Sequence, residues 1–291
     1  MQRTLASVAT CEGTGLHSGQ LMRMTLKPAE ANSGIVFIRT DKESENEIKA
    51  HHDNVCNVLL SSNISNGQVA VGTIEHLMAA FALSHIDNAI VELDGGEVPI
   101  MDGSARIFLD KITQGGVATL NAPRQFLRIL KAVQVQGEGG SVCTLQPETD
   151  TIFEAEIDFT SRAIGKQSYA TRLNGSVDEK VAHARTFCML AEVEAMQKAQ
   201  RALGGSLDNA IIVDGDTILN EEGLRDTREF VQHKLLDAMG DMALMGMPFI
   251  GRYKGYKSGH ALHHKLLTAL FADPSAYEIT QSEQKTALAA E

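Results

Sequence analysis

The chain has 291 residues, of which 43% are hydrophobic, enough to bury a sizeable core in one large or two medium domains. Its formal net charge of -11 argues against wrapping nucleic acid, which needs clustered Lys and Arg, so any anionic ligand must be met by a few local basic groups. Cys11, Cys56, Cys143 and Cys188 are widely spaced and form no C-x-x-C pair, which excludes a disulfide framework and a thiolate zinc site and fits a reducing compartment. The first residues reach Cys11-Glu12-Gly13 before any signal-type apolar region forms, and no run of about 18 apolar residues occurs. A cytoplasmic location without a transmembrane segment is expected.

Residues 1–121 read as short strands punctuated by turns. Leu21–Leu26 alternates weakly, and Ile35-Val36-Phe37-Ile38 is an apolar run of strand length. Gly13-Thr14-Gly15-Leu16-His17-Ser18-Gly19 spells G-x-G-x-x-x-G, one position away from the dinucleotide fingerprint, and no helical pattern follows it. It therefore reads as a turn between strands, with His17 structural. Gly72–Phe81 reads as a helix with Thr73 as N-cap and Ile74, Leu77, Met78 and Phe81 as its apolar face. Glu75 and His76 occupy its first turn. Neighbours on a helix point about 100° apart, yet near a helix start both can border one cavity. That leaves two readings open: a base beside a metal ligand, or a first-turn Glu that complements the helix dipole. Ala89–Leu93, Asp94-Gly95-Gly96 and Val98–Met101 spell a hairpin, and Asp102-Gly103-Ser104 leads into a short helix. Breakers at Gly115-Gly116 and Asn121-Ala122-Pro123 mark the boundary.

Residues 126–291 restart with strands at Phe126–Val135, Val142–Leu145 and Phe153–Phe159. A helix over Val177–Gln200 follows, its pattern interrupted at Ala184-Arg185-Thr186-Phe187, and residues 203–220 read as a small hairpin-like insertion. Glu229–Met245 carries the most informative pattern, an amphipathic helix on which His233, Asp237 and Asp241 share one face at i, i+4 and i+8. An imidazole and a carboxylate one turn apart can hold a single divalent metal, and they can equally form an intrahelical hydrogen bond. The pattern is not H-E-x-x-H, so a zincin is disfavoured, and the third ligand stays open among His17, His76, His85, His183 and His260. A last helix spans about Leu262–Ala272, and the Ala-rich end after Gln281 reads as a fraying terminus.

Four separated motifs, Thr73-Ile74-Glu75-His76-Leu77, Ala184-Arg185-Thr186-Phe187, His233-Lys234-Leu235-Leu236-Asp237-Ala238-Met239-Gly240-Asp241 and Lys257-Ser258-Gly259-His260, occur in an order that resembles the UDP-3-O-acyl-N-acetylglucosamine deacetylases. Gly15–Gly19, Pro99–Ser104, Gly204-Gly205-Ser206 and Leu219–Arg225 extend the resemblance nearly end to end. It implies an α+β fold of two similar layered sheet-and-helix domains with the active site between them, and a cytoplasmic, zinc-dependent amidase of lipid A biosynthesis. The implied substrate is a UDP-linked, 3-O-acylated N-acetylglucosamine, and the chain is expected to act as a monomer. By resemblance, one Zn2+ is held by His76, His233 and Asp237. Glu75 is the general base, His260 the second catalytic residue, Asp241 its orienting carboxylate and Thr186 the hydroxyl that stabilises the oxyanion. Phe187 would line the sugar site, Phe159 would stack on the uracil, and Lys234 and Lys257 would meet the diphosphate. The insertion would form an acyl passage lined by Leu207, Ile211, Ile212 and Val213. Two departures stand out: His263-His264 where the family often has an Asn pair, and Ser61-Ser62-Asn63-Ile64 in a segment that usually carries a Thr. The competing functions are a zinc peptidase, for which Glu75 and His76 would suffice, and an inert nucleotide-sugar or lipid-binding protein.

Overall fold

The computed structural model describes residues 1–173 and 175–281, so the Ala-rich end after Gln281 lies outside the described residues. The fold is α+β with two domains. The first is built on a five-stranded sheet in the order Ala9–Thr14, Leu21–Pro28, Ala89–Leu93, Ile35–Arg39 and Glu47–Lys49. Ile35–Arg39 and Ala89–Leu93 run parallel, and the other pairs are antiparallel. Strict alternation places Met22, Met24 and Leu26 in the core while Leu21 and Arg23 face out. Helix α2 (Arg106–Gly115) packs against the strand Ala9–Thr14, and α1 (Glu75–Leu83) packs against α2.

The second domain is organised around Phe249–Tyr256, a central strand of a seven-stranded sheet. Along its length it pairs antiparallel with Val142–Gln146 and parallel with Phe126–Ile129 and Thr151–Asp158. Phe249, Gly251, Tyr253 and Gly255 are buried while Arg252, Lys254 and Tyr256 are more open, the alternation expected of a strand with one face on the core. Helices α3 (Glu179–His183), α4 (Leu190–Lys198), α5 (Glu229–Met242) and α6 (His260–Phe271) complete the domain. No helix among the described residues is long and apolar enough to cross a membrane.

Several local expectations are corrected. Thr73 is not an N-cap: it has a left-handed φ of 56°, and its hydroxyl donates to Glu97 at 3.0 Å, while Ile74 occupies the cap position without a side-chain bond. Val98–Met101 does not return as the second arm of a hairpin; Pro99 instead bridges to Gly15 across the domain. The strand expected over Phe126–Val135 is two strands, Phe126–Ile129 and Val133–Gln136, and the helix expected over Val177–Gln200 is split by an extended segment and the strand Phe187–Met189. The cause of that second split is Arg185. Its guanidinium is buried against Glu229, with Nε–Oε1 at 2.9 Å, and its Nη2 donates to the Gly223 carbonyl at 2.7 Å, which a continuous helix would forbid.

Helix α5 was expected to be amphipathic and is instead buried on nearly every side; only Lys234 is partly exposed. It runs between α1, α6 and the strand Thr151–Asp158, so its polar residues point into protein rather than solvent. Helix α1 crosses it at Gly240, where an added Cβ would drive into the backbone carbonyl of Glu75. The crossing is closer than any side chain permits.

Gly240→Ala should therefore destabilise the protein by at least the roughly 1–3 kcal/mol of ordinary overpacking. The check is a denaturant titration together with bound-metal content. A variant with unchanged midpoint and unchanged metal content would show that the crossing can relax.

Candidate active site

The crossing of α1 and α5 sets the site. Helix α1 presents Glu75 and His76 from its first turn, and α5 presents His233, Asp237 and Asp241 from one face; all five are at most 4% exposed. Asp237 Oδ1 lies 3.3 Å from His233 Nε2 and 3.6 Å from His76 Nε2. Donors held about 2.0–2.2 Å from a tetrahedral metal are spaced about 3.4 Å apart, so this trio has the separations of a divalent metal site.

The donors are also in the right chemical state. The His233 Nδ1–H donates to the Ala184 carbonyl at 3.0 Å, which turns the Nε2 lone pair toward Asp237. Burial lowers the His233 pKa to about 3, overcoming the opposing pull of Asp237, so the ring is neutral. Burial alone would raise the Asp237 pKa, but the groups around it, His233 and Lys234 foremost, hold it well below the usual carboxylate range. Lys234 Nζ donates to the other oxygen of Asp237 at 3.0 Å. His76 Nδ1 is buried with no hydrogen-bond partner among the described residues. Two imidazole lone pairs and one carboxylate would leave a divalent ion with positive charge and room for another ligand.

A second constellation adjoins the trio. Asp241 Oδ2 accepts from His260 Nδ1 at 2.7 Å and from His263 Nδ1 at 2.6 Å, and Oδ1 accepts from the Ser62 hydroxyl at 2.5 Å. Burial opposes protonation of His260, yet the charges of Asp241 and Glu75 raise its pKa to about 10. His263 is likewise raised, to about 9: burial opposes its protonation, and Asp241 and Cys143 together outweigh burial. His260 Nε2 points at Glu75 Oε1, 3.8 Å away. Burial raises the Glu75 pKa, against the lowering influence of His260 and His76, and Glu75 Oε2 accepts the Ser62 backbone N–H at 3.0 Å. An acid held protonated thus faces a carboxylate whose proton affinity is enhanced.

The remaining residues singled out by sequence fall into a strip leading away from His233. Phe187 packs edge-on to His233 with ring centroids 6.4 Å apart, and to Phe159 at 5.7 Å. Lys234 Nζ sits 5.4 Å from the centre of the Phe187 ring. Lys257, with a left-handed φ of 50°, pairs with Asp158 at 3.0 Å, next to Phe159. Thr186 follows Arg185 and is fixed through its backbone, its N–H donating to the Gly103 carbonyl at 2.9 Å. Of the four residues named for the acyl passage, Ile211 and Val213 are turned into the core, whereas Ile212 is half-buried and Leu207 is exposed. Strand alternation explains the division. Apolar surface at the insertion comes instead from Leu203, Leu207 and Leu219.

Sequence reasoning did not single out Ser62, which ties Glu75 to Asp241, or Tyr253, whose hydroxyl lies 2.8 Å from His263 Nε2. Neither sits in a periodic pattern, though Ser62 falls in a segment already noted as a departure. The glycine-rich turn at Gly13–Gly19 cradles a carboxylate of its own chain: Glu97 accepts from the His17 and Ser18 N–H groups at 2.8 and 2.9 Å. His17 Nδ1 accepts the Ala202 N–H at 3.3 Å and helps seat the insertion, a structural task.

Comparison with known proteins identifies the family. The family model described as UDP-3-O-acyl N-acetylglycosamine deacetylase matches residues 2–272. A protein of Acidithiobacillus ferrooxidans named UDP-3-O-acyl-N-acetylglucosamine deacetylase is 45% identical over 289 residues, covering 98% of this chain and 95% of its own. Proteins of the same name from Myxococcus xanthus and a Psychrobacter species are 46% and 43% identical, covering 98% and 96% of this chain and 90% and 94% of their own. The chain belongs to the UDP-3-O-acyl N-acetylglycosamine deacetylase family.

Proposed function

We propose that this protein is a zinc-dependent deacetylase that hydrolyses the N-acetyl group of UDP-3-O-(3-hydroxyacyl)-N-acetylglucosamine in lipid A biosynthesis, releasing acetate and the free amine. The observation that carries the chemistry is the pairing of a His–His–Asp trio, with donor separations of 3.3 and 3.6 Å, and an acid–base pair 3.8 Å apart on the same two crossing helices and α6. His76, His233 and Asp237 are the residues that would hold zinc. When bound, zinc supplies Lewis-acid polarisation of the acetamide carbonyl and makes a neighbouring water more acidic.

The chain's own residues then divide the proton work. Glu75 takes a proton from the attacking water; its burial raises its basicity toward that task. His260 enters protonated, held so by Asp241, and delivers its Nε2 proton to the departing nitrogen. Thr186 donates its hydroxyl to the developing oxyanion. Phe159 stacks on the uracil, Phe187 lines the sugar, and Lys234 and Lys257 meet the diphosphate, which answers the need of an acidic chain for local cations. Leu203, Leu207 and Leu219 offer the acyl chain apolar surface, each buried methylene being worth roughly 0.8 kcal/mol. The domains divide between residues 121 and 126. Both contribute catalytic groups from a single chain, so a monomer in the cytoplasm suffices.

Acetate release from the UDP-linked substrate should stop on chelation and return with one equivalent of zinc; release that persists after complete chelation would remove the metal from the mechanism. Glu75→Gln should lower kcat by about a hundred- to ten-thousand-fold while zinc content is retained, as measured by single-turnover kinetics beside metal analysis; full turnover would refute the base assignment. Asp241→Asn removes the negative charge that raises the His260 pKa, so that pKa must fall. The alkaline limb of the kcat profile should move to lower pH by about 1–3 units. A limb that stays in place would show that His260 is not the group titrating there.

A further inference from the structure

The turn between the strands Glu47–Lys49 and Val55–Asn57 carries His51, His52 and Asp53 in succession, far in sequence from the catalytic groups. The three side chains converge, offering one ligand atom each within 4.8 Å of one another. Asp53 reaches both rings, with Oδ2 3.2 Å from His51 Nδ1 and Oδ1 3.4 Å from His52 Nδ1. Each is close to the spacing of about 3.4 Å between donors on a tetrahedral ion; unlike Asp237, which reaches its two rings through one oxygen, Asp53 turns a separate oxygen to each ring, and His51 Nδ1 also accepts the Asp53 N–H at 3.4 Å, a contact an ion would displace.

The rings are pre-positioned by the other domain. His52 stacks on Phe271 of α6, with centroids 4.1 Å apart and planes 6° from parallel. His51 tilts against His52 at 4.4 Å and lies over Gly246, where an added Cβ would come within 3.2 Å of its Cδ2. Asp53 is open to solvent, with 73% of its side chain exposed, so an ion can enter without rearrangement of the fold. Burial, followed by the neighbouring His51, lowers the His52 pKa, which favours the neutral ligating form. His264 of α6 bears electrostatically on His52, and its buried Nδ1 has no hydrogen-bond partner among the described residues.

We propose that His51, His52 and Asp53 form a second metal site, at the seam between the domains, for a divalent transition ion of the zinc and nickel class. Two imidazoles and one carboxylate suit such an ion; magnesium and calcium require a shell of oxygen donors that the turn does not supply. Solvent completes the coordination. An ion bound there fixes the two rings that pack on Phe271 and Gly246, and so fastens the turn to the second domain.

Equilibrium dialysis of the holoenzyme, already carrying one zinc, against micromolar zinc tests the site. Wild type should take up a second equivalent that millimolar magnesium does not displace. The His51→Gln/His52→Gln double variant should keep the first equivalent and its rate of acetate release, while its Kd for the second rises at least tenfold. Asp53→Ala, at an exposed position that leaves the Phe271 stack intact, should weaken the same equivalent and covers the case in which the double variant does not fold. Absence of a second equivalent in wild type would overturn the proposal. So would displacement by magnesium, or a second equivalent that persists unchanged in the variants, which would place it on the Asp241–His260–His263 cluster instead.

Discussion

The site depends on one steric allowance, the absence of a side chain at Gly240. There α5 approaches the first turn of α1 closely enough for the Glu75 carbonyl to rest against its backbone. That contact brings a histidine and a carboxylate from one domain to two carboxylates and a histidine from the other. Without it the helices would separate by roughly a side chain, and the 3.6 Å between His76 and Asp237, the donor separation that crosses them, would open too far for one ion. The buried ion pair of Arg185 with Glu229 supports the same geometry from behind, since it holds Ala184, the carbonyl partner of His233, against the start of α5.

Burial acts on the two halves of the site in opposite senses because their neighbours differ. His233 is desolvated and faces a single carboxylate, so it loses its proton and keeps a lone pair. His260 is less completely enclosed, touches Asp241 directly and looks across at Glu75, so it keeps its proton. Two imidazoles with the same intrinsic basicity are thereby placed in opposite protonation states by what surrounds them, which is what the proposed roles of ligand and acid require. Asp241 is central to the second outcome, and three donors on its oxygens leave it no freedom to rotate away.

Much of this was legible in the sequence, and the exceptions have physical causes. The spacing of His233, Asp237 and Asp241 announced a shared helical face, because i, i+4 geometry is local. The partner from α1 was not derivable from spacing, since its proximity comes from a helix crossing specified by a glycine more than 160 residues away in sequence; the resemblance to a known family supplied it. Thr73 looked like a cap because cap preference is a local statistic, whereas here its hydroxyl is claimed by Glu97 and its backbone is left-handed. The interruption legible at Ala184–Phe187 is a full break, whose extent local pattern does not give because Arg185 is committed to a buried carboxylate that no window around it contains. Ser62 escaped notice because its two acceptors, Glu75 and Asp241, meet only in the folded chain.

The insertion is rooted across the molecule. The Leu203 and Gly204 N–H groups donate to the His17 and Leu16 carbonyls at 3.3 and 3.0 Å, and the absence of a Cβ at Gly204 lets its backbone settle onto Gly15. The base of the insertion is therefore positioned by the first domain, while Leu203 and Leu207 remain exposed beyond that anchor. In the acyl-binding role proposed for the insertion, apolar reach and hydrolytic geometry would be modular: residues in the tip could change in size to suit a longer or shorter aliphatic chain without transmitting strain to the crossing helices. A single scaffold would in this way diversify its lipid preference while the groups at the crossing stay fixed.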